Sequence, residues 1–241
     1  GCRALATAAA AAFDAAHHHT DAETRQANKA FYEFMVPLVK GFSTEMSLEV
    51  TSLGVQVHGG MGFIEETGAA QYYRDAKILT IYEGTTAIQA NDLVGRKTAR
   101  DGATQALALA EQIARTEADL MAVGSDDAQA MASSLKAARE AFQSAAQFIA
   151  ANASANPNAA FAGSVPYLML TGNVMAGWQM ARALLAVEGL SGDEVFGDAF
   201  LQAKRVTCRF YADHILTKVP GLRDSIVQGA DSVNAMALEA F

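Results

Sequence analysis

Proline is nearly absent from most of this chain: Pro37 is the only one before Pro157, and there are 4 in all. A proline inside a helix removes a backbone donor and crowds the preceding turn, whereas alanine, abundant here throughout, is the best helix former. The long unbroken stretches therefore predict an all-α fold. Residues 3–19 read as a first helix, alanine-rich with Leu5 and Phe13. Thr20-Asp21-Ala22-Glu23 has the pattern of a capping box, so a second helix is expected from about residue 21. Its apolar positions, from Phe31 through Leu38 and Met46 to Leu53, recur in steps of three and four to about residue 57. Pro37 should kink or divide it.

The pattern stops at His58-Gly59-Gly60-Met61-Gly62-Phe63, where three glycines in four positions call for a loop with unusual backbone angles. A short helix is expected over 66–75, then the brief apolar stretch Lys77 to Tyr82, then Glu83-Gly84. Thr86-Ala87-Ile88-Gln89 has capping spacing, which predicts a helix over 86–100. Asp101-Gly102 is a boundary, dividing residues 1–100 from 101–241. Beyond it, helices are expected over 103–122, 126–153, 163–188, 193–217 and 227–239, separated by Gly124 to Asp127, by 152–158 and by Gly189 to Asp193. Consecutive helices on short loops suggest an antiparallel bundle. The composition, 51% hydrophobic and 18% charged, supplies ample core.

Several classes of function are disfavoured. A net charge of −8 argues against binding a nucleic-acid backbone. No run of about 18 apolar residues is present, so no membrane span is expected. Cys2 and Cys208 have neither metal-ligand spacing nor a disulfide framework, which points to a reducing, cytoplasmic setting. His17, His18 and His19 cannot converge on one ion, because successive helical residues point about 100° apart. No metal site is expected. The chain opens inside a helical pattern without a signal-peptide layout, and reads as a piece of a longer protein.

Chemistry concentrates between Gln56 and Lys97. This segment offers a glycine loop with exposed backbone N–H groups, and a carboxylate, Glu83, on a short apolar connector just before a helix. An isolated Glu-Gly-Thr is an ordinary surface acid at a helix start. Arg74, Asp75 and Lys77 read as a structural ion-pair group, and Trp178 and the apolar run Val165 to Leu170 as core or interface.

Together, Gln56-x-x-Gly59-Gly60-x-Gly62-Phe63, Tyr73-Arg74-Asp75-Ala76-Lys77-Ile78, Ile81-Tyr82-Glu83-Gly84-Thr85 and Ile88-Gln89 resemble, in order and spacing, the C-terminal signature of the acyl-CoA dehydrogenases. The resemblance to the family core covers about residues 1–100. It implies the family's C-terminal helical bundle and an FAD cofactor. It also implies that Glu83 is the base that takes the pro-R α-proton of an acyl-CoA thioester. The β-hydrogen then leaves as hydride to flavin N5, giving a trans-2-enoyl-CoA. Such a base works best in a dry pocket, for which Ile81 and Tyr82 are candidates. The thioester oxygen would be held by the Glu83 N–H and a flavin ribitol hydroxyl. Gln56, Val57, His58, Gly59 and Gly60 match the stretch that holds the ADP part of an FAD bound mainly by a neighbouring subunit, which implies a homo-oligomer. Gly84 matches a substrate contact. Thr85, Thr86 and Ala87 match positions beside the flavin; the family often has a polar residue where Ala87 stands, so only its backbone role carries over. Electron-transfer flavoprotein is the implied acceptor.

Ordinary family members end soon after the helix that follows the glutamate. The extra length, with Ser164-Val165-Pro166-Tyr167-Leu168 and Gly177-Trp178, resembles a longer bacterial subgroup carrying a second helical bundle. Members of that subgroup act on 3-methylthiopropionyl-CoA and on some longer acyl chains. The family's N-terminal and middle domains have no counterpart here, so this piece alone is expected to be inactive. Two other readings fit the same residues: a non-catalytic helical assembly module that keeps the signature as a remnant, and part of an acyl-CoA oxidase.

Overall fold

A computed structural model describes residues 1–190 and 195–240, and it is all-α. The first helix, α1 (Cys2–His18), and the second, α2 (Ala22–Pro37), fall where the pattern placed them. The cap differs by one residue. Asp21, not Thr20, is the N-cap, and its carboxylate accepts the Thr24 N–H at 2.8 Å and the Thr24 hydroxyl at 2.7 Å. These bonds to the ionised form hold the Asp21 carboxyl below its ordinary range.

Pro37 neither breaks nor simply kinks the second helix. It cannot donate to the carbonyl one turn back, and the ladder widens into a π-turn over Leu38–Phe42 before resuming as α3 (Ser43–Val57). A single turn, α4 (Gly60–Phe63), and a 3₁₀ turn, Glu65–Thr67, lead into α5 (Ala69–Leu79), which packs back along α3. It starts and ends about three residues later than expected. The next helix, α6 (Thr86–Asp92), continues through a π-helical stretch, Leu93–Ala99.

The second half begins at a sharp turn. Gly102 and Ala103 both have positive φ (64° and 66°), which frees the chain to reverse into α7 (Thr104–Val123). Then come α8 (Asp126–Asn152), a short α9 (Pro157–Ala162) that the pattern did not predict, α10 (Ser164–Gly189) and α11 (Asp198–His214). The expected start at 193 lies outside the described residues. A further helix, α12 (Val219–Gln228), was hidden by Pro220. That residue sits in the first turn, where its missing N–H has no acceptor to lose. A short α13 (Ala230–Asn234) and a 3₁₀ turn, Leu238–Ala240, stand where one helix over 227–239 was expected.

The core lies around α10, which is buried on every side from Leu170 to Ala181. It packs against α1, α6, α7, α8, α11 and α12. Residues of both halves meet there. Phe34 and Phe42, from the first, share one cluster with Phe142, Tyr167 and Leu168, from the second. Phe142 packs edge-on to Phe34 and stacked on Tyr167, with ring centres 6.5 and 6.4 Å apart. Phe42 approaches so closely that a Cβ on Gly172 would lie 2.2 Å from its ring. Tyr167 and Thr98 share a buried hydrogen bond of 3.0 Å across the same boundary, and burial pushes the tyrosine phenol well above its usual range.

One buried ion pair fastens α7 to α8. Arg139 donates from two nitrogens to Glu117, at 2.8 and 3.1 Å, and its third contact is Gln143 at 2.7 Å. Both charged side chains are about nine-tenths buried. Removing only one member strands the other, which is the costly case. In denaturant unfolding, Glu117→Leu should cost about 3 kcal/mol, and the double variant Glu117→Leu/Arg139→Leu should recover most of that loss. Additive losses in the double variant would show that the pair is not coupled.

Candidate functional site

The loop between α5 and α6 is held at both ends. At its start, Lys40 donates its amine to the Leu79 carbonyl and lies over the Tyr82 ring, 5.0 Å from its centre. At its end, the Thr86 hydroxyl donates to the Glu45 carboxylate. Across the neck, the Thr86 N–H donates to the Thr80 carbonyl at 3.3 Å. Thr85 caps α6 by accepting the Ile88 N–H.

Between these anchors the chain takes two consecutive left-handed residues, Glu83 (φ 49°) and Gly84 (φ 97°). Glycine adopts this region freely; for glutamate it costs about 1–2 kcal/mol. Such strain persists only where the surroundings over-determine it, and it is common at functional positions. Here the constraint is visible. A Cβ on Gly84 would lie 2.7 Å from Gln89 Nε2, and a Cβ on Gly41 would lie 2.9 Å from the Gln89 Cβ. Gln89 is thus wedged between two glycines, and the π-turn that carries Lys40 presses directly on α6. Among the described residues, neither the carboxylate nor the backbone N–H of Glu83 has a hydrogen-bond or ion-pair partner. Both are free to meet a ligand.

Ile81 and Tyr82 do not dry this carboxylate. They are 51% and 46% exposed, and Glu83 itself is exposed. A dry wall for this carboxylate has to come from outside these residues.

The glycine loop is a separate place. Gly59 has φ 60° and ψ −145°, a conformation essentially confined to glycine, and Gly62 is forced because a Cβ there would lie 2.2 Å from the Val55 carbonyl. Thr67 ties the loop by donating to the Met61 and Ile64 carbonyls. The His58 Nδ1 lies 2.8 Å from the Gly54 carbonyl, and since a carbonyl only accepts, that nitrogen carries the proton. Gln56, Val57, His58, Gly59 and Gly60 are all exposed, and nothing stands within 4 Å of a Cβ placed on Gly59 or Gly60. A flat polar group can therefore lie against this backbone.

These two places sit at opposite ends of the α3/α5 hairpin. At 1.5 Å per residue, the run from Glu45, beside Thr86, to Gln56 spans about 16 Å. The structure brings Glu83 together with Gly84, Thr85, Thr86 and Ala87, and holds them apart from Gln56 to Gly60. The hydroxyls of Thr85 and Thr86 are already engaged within the protein, so what these positions leave free is mainly backbone, as at Ala87. Of the ion-pair group expected from Arg74, Asp75 and Lys77, only Arg74 has an ionic partner among the described residues: Glu65, at 3.4 Å. Lys40, Glu45 and Gln89 escaped the sequence reading as positioning residues, although a lone lysine inside the apolar run Leu38 to Phe42 was a usable signal. No group of His, Cys, Asp or Glu among the described residues is placed to hold a metal, and no described helix is long and apolar enough to cross a membrane.

Comparison with known proteins adds independent evidence. Residues 1–98 match the family described as acyl-CoA dehydrogenase, C-terminal domain, and residues 104–237 match acetyl-CoA dehydrogenase C-terminal like. The chain is 51% identical, over 99% of its length, to 3-methylmercaptopropionyl-CoA dehydrogenase of Ruegeria pomeroyi. It is 32% identical over 80% of its length to a broad-specificity linear acyl-CoA dehydrogenase of Mycobacterium tuberculosis. It is 29% identical over its whole length to a butyryl-CoA dehydrogenase of Syntrophomonas wolfei. It spans 40%, 33% and 39% of those relatives' own lengths. With its helical fold and its matches to two C-terminal family descriptions, the chain belongs to the acyl-CoA dehydrogenase family.

Proposed function

We propose that this chain is the C-terminal part of an FAD-dependent acyl-CoA dehydrogenase in which Glu83 is the α-proton-abstracting base. The observation that carries the reading is the strained, anchored loop that presents an unpartnered carboxylate and an unpartnered N–H from the same residue. The carboxylate takes the α-proton of the thioester. The electron pair released moves toward the thioester carbonyl, whose oxygen accepts from the Glu83 N–H as negative charge develops. Loss of the β-hydrogen then completes the 2-enoyl product. FAD, when bound, supplies the acceptor for that hydride. Gly84 leaves room for the substrate, and Thr85, Thr86 and Ala87 line the cofactor side through their backbone. Lys40 and Glu45 keep the loop from relaxing.

The likeness to the Ruegeria enzyme makes a short acyl-CoA related to 3-methylmercaptopropionyl-CoA the substrate class to test first. Electron-transfer flavoprotein is proposed as electron acceptor and the cytoplasm as the compartment. Residues 1–100 and 101–241 are taken as the family bundle and an additional bundle that braces it. A homo-oligomer fits the exposed apolar side chains along α3 and α5, among them Val50, Leu53, Val57 and Tyr72. In such an assembly, Gln56 to Gly60 hold the ADP part of an FAD seated mainly on a neighbouring subunit.

In the full-length enzyme, Glu83→Gln should lower kcat by roughly 10³-fold while FAD content stays normal. Near-normal turnover would remove Glu83 as the base. Gly84→Ala adds a Cβ where both φ and Gln89 forbid it, and it should lower kcat about 10-fold or more by displacing the loop. Unchanged kinetics would show that the loop tolerates relaxation. Residues 1–241 alone, holding only part of the cofactor contacts, should purify colourless. A stoichiometric flavin spectrum would overturn that expectation.

A further inference from the structure

A cleft of about 1030 Å³ lies among α1, α2, α7 and α10, in a part of the molecule that the Glu83 loop does not use. The space exists because α1 faces it with Ala4, Ala8 and Ala11, side chains too short to fill it. Its charged lining is of one sign. In a chain of net charge −8, the cleft carries two cations, Arg115 and Arg182, and no acid. Among the described residues neither guanidinium has a carboxylate within ion-pair distance, whereas six other arginines do. Arg182 is set in place by neighbours that do not neutralise it. It lies over the Trp178 ring, 5.8 Å from its centre, and donates to Gln179 Oε1 at 2.9 Å. Trp178 is itself fixed by a bond to Thr116 at 2.8 Å and by the edge of Phe31.

Gln179 supplies a second and independent sign. It is 6% exposed and lines the cleft, and its Nε2 has no hydrogen-bond partner. A buried donor left unpaired is costly, and native proteins rarely keep one without cause. The charged surplus is therefore of one sign: two guanidinium forks beside a buried amide N–H, with only neutral acceptors such as Asn28 and Gln112 in the lining.

We propose that this cleft binds a compact organic oxyanion, a carboxylate or a phosphate monoester. Arg115 and Arg182 clasp the anionic head, Gln179 Nε2 supplies a further donor, and the alanine face of α1 with Trp178 covers a short apolar body. Guanidinium forks match the paired oxygens of both head groups. The site is distinct from the Glu83 loop, and the inference does not depend on the proposed dehydrogenation.

The test is calorimetric titration of the full-length protein with inorganic phosphate and with propionate at constant ionic strength, which separates the two sources of the head group. Saturable binding of at least one, with Kd on the order of 1 mM or tighter, is expected. Both arginines are exposed, so Arg115→Gln and Arg182→Gln should fold normally; each should weaken that binding about 10-fold or more, and the double variant should lose it. Arg182→Lys should restore only part, because an ammonium lacks the fork. Saturating the acyl-CoA site of the slow Glu83→Gln variant with acyl-CoA should leave probe binding unchanged, which separates this cleft from the acyl-CoA site. Absence of saturable binding for both probes, or undiminished binding in the double arginine variant, would overturn the proposal.

Discussion

Helix α10 cannot stand alone in water. From Leu170 to Ala181 every residue is buried, so the helix has no polar face to leave exposed. The rest of the described fold surrounds it. The second half contributes α7, α8, α11 and α12, and the first half contributes α1, α6 and the π-turn. Small residues set how closely these elements approach. Gly172 admits the ring of Phe42, and Gly41 admits Leu168 and Gln89, where a Cβ would lie 2.8 and 2.9 Å away. Close packing of this kind transmits position with little slack.

That rigidity reaches the Glu83 loop through a short chain of contacts. α10 supports the π-turn, the π-turn carries Lys40 and presses on Gln89, and Gln89 backs Gly84. A glutamate with positive φ would relax in a free loop. Here both ends are tied, at Leu79 and at Thr86, so the strain is held. On this account the additional bundle serves the chemistry without touching it: it stiffens the frame on which the proposed base is mounted.

Much of this was legible in the sequence because helices announce themselves through periodicity. The steps from Phe31 to Leu53 located α2 and α3, and the glycine cluster located a real break at Gly59. What escaped depended on context. Pro37 was read as kinking or dividing the helix, but whether a helix breaks or widens into a π-turn is decided by its neighbours, here Gln89 and Leu168 against Gly41. Pro220 hid α12 because a proline in the first turn and a proline in the middle look alike without a boundary. Glu83 could be picked out only through its surrounding blocks, since a carboxylate alone says little. Its left-handed backbone and its anchors, Lys40 and Glu45, come from residues about forty positions earlier, which no local pattern connects.

The central claim is that this held carboxylate moves the α-proton. Deuterium exchange at the α-carbon of an acyl-CoA bound to the full-length enzyme reads that step alone. The account predicts exchange in the parent enzyme and its loss in Glu83→Gln, with acyl-CoA affinity retained. Exchange that persists at the parent rate in Glu83→Gln would contradict it.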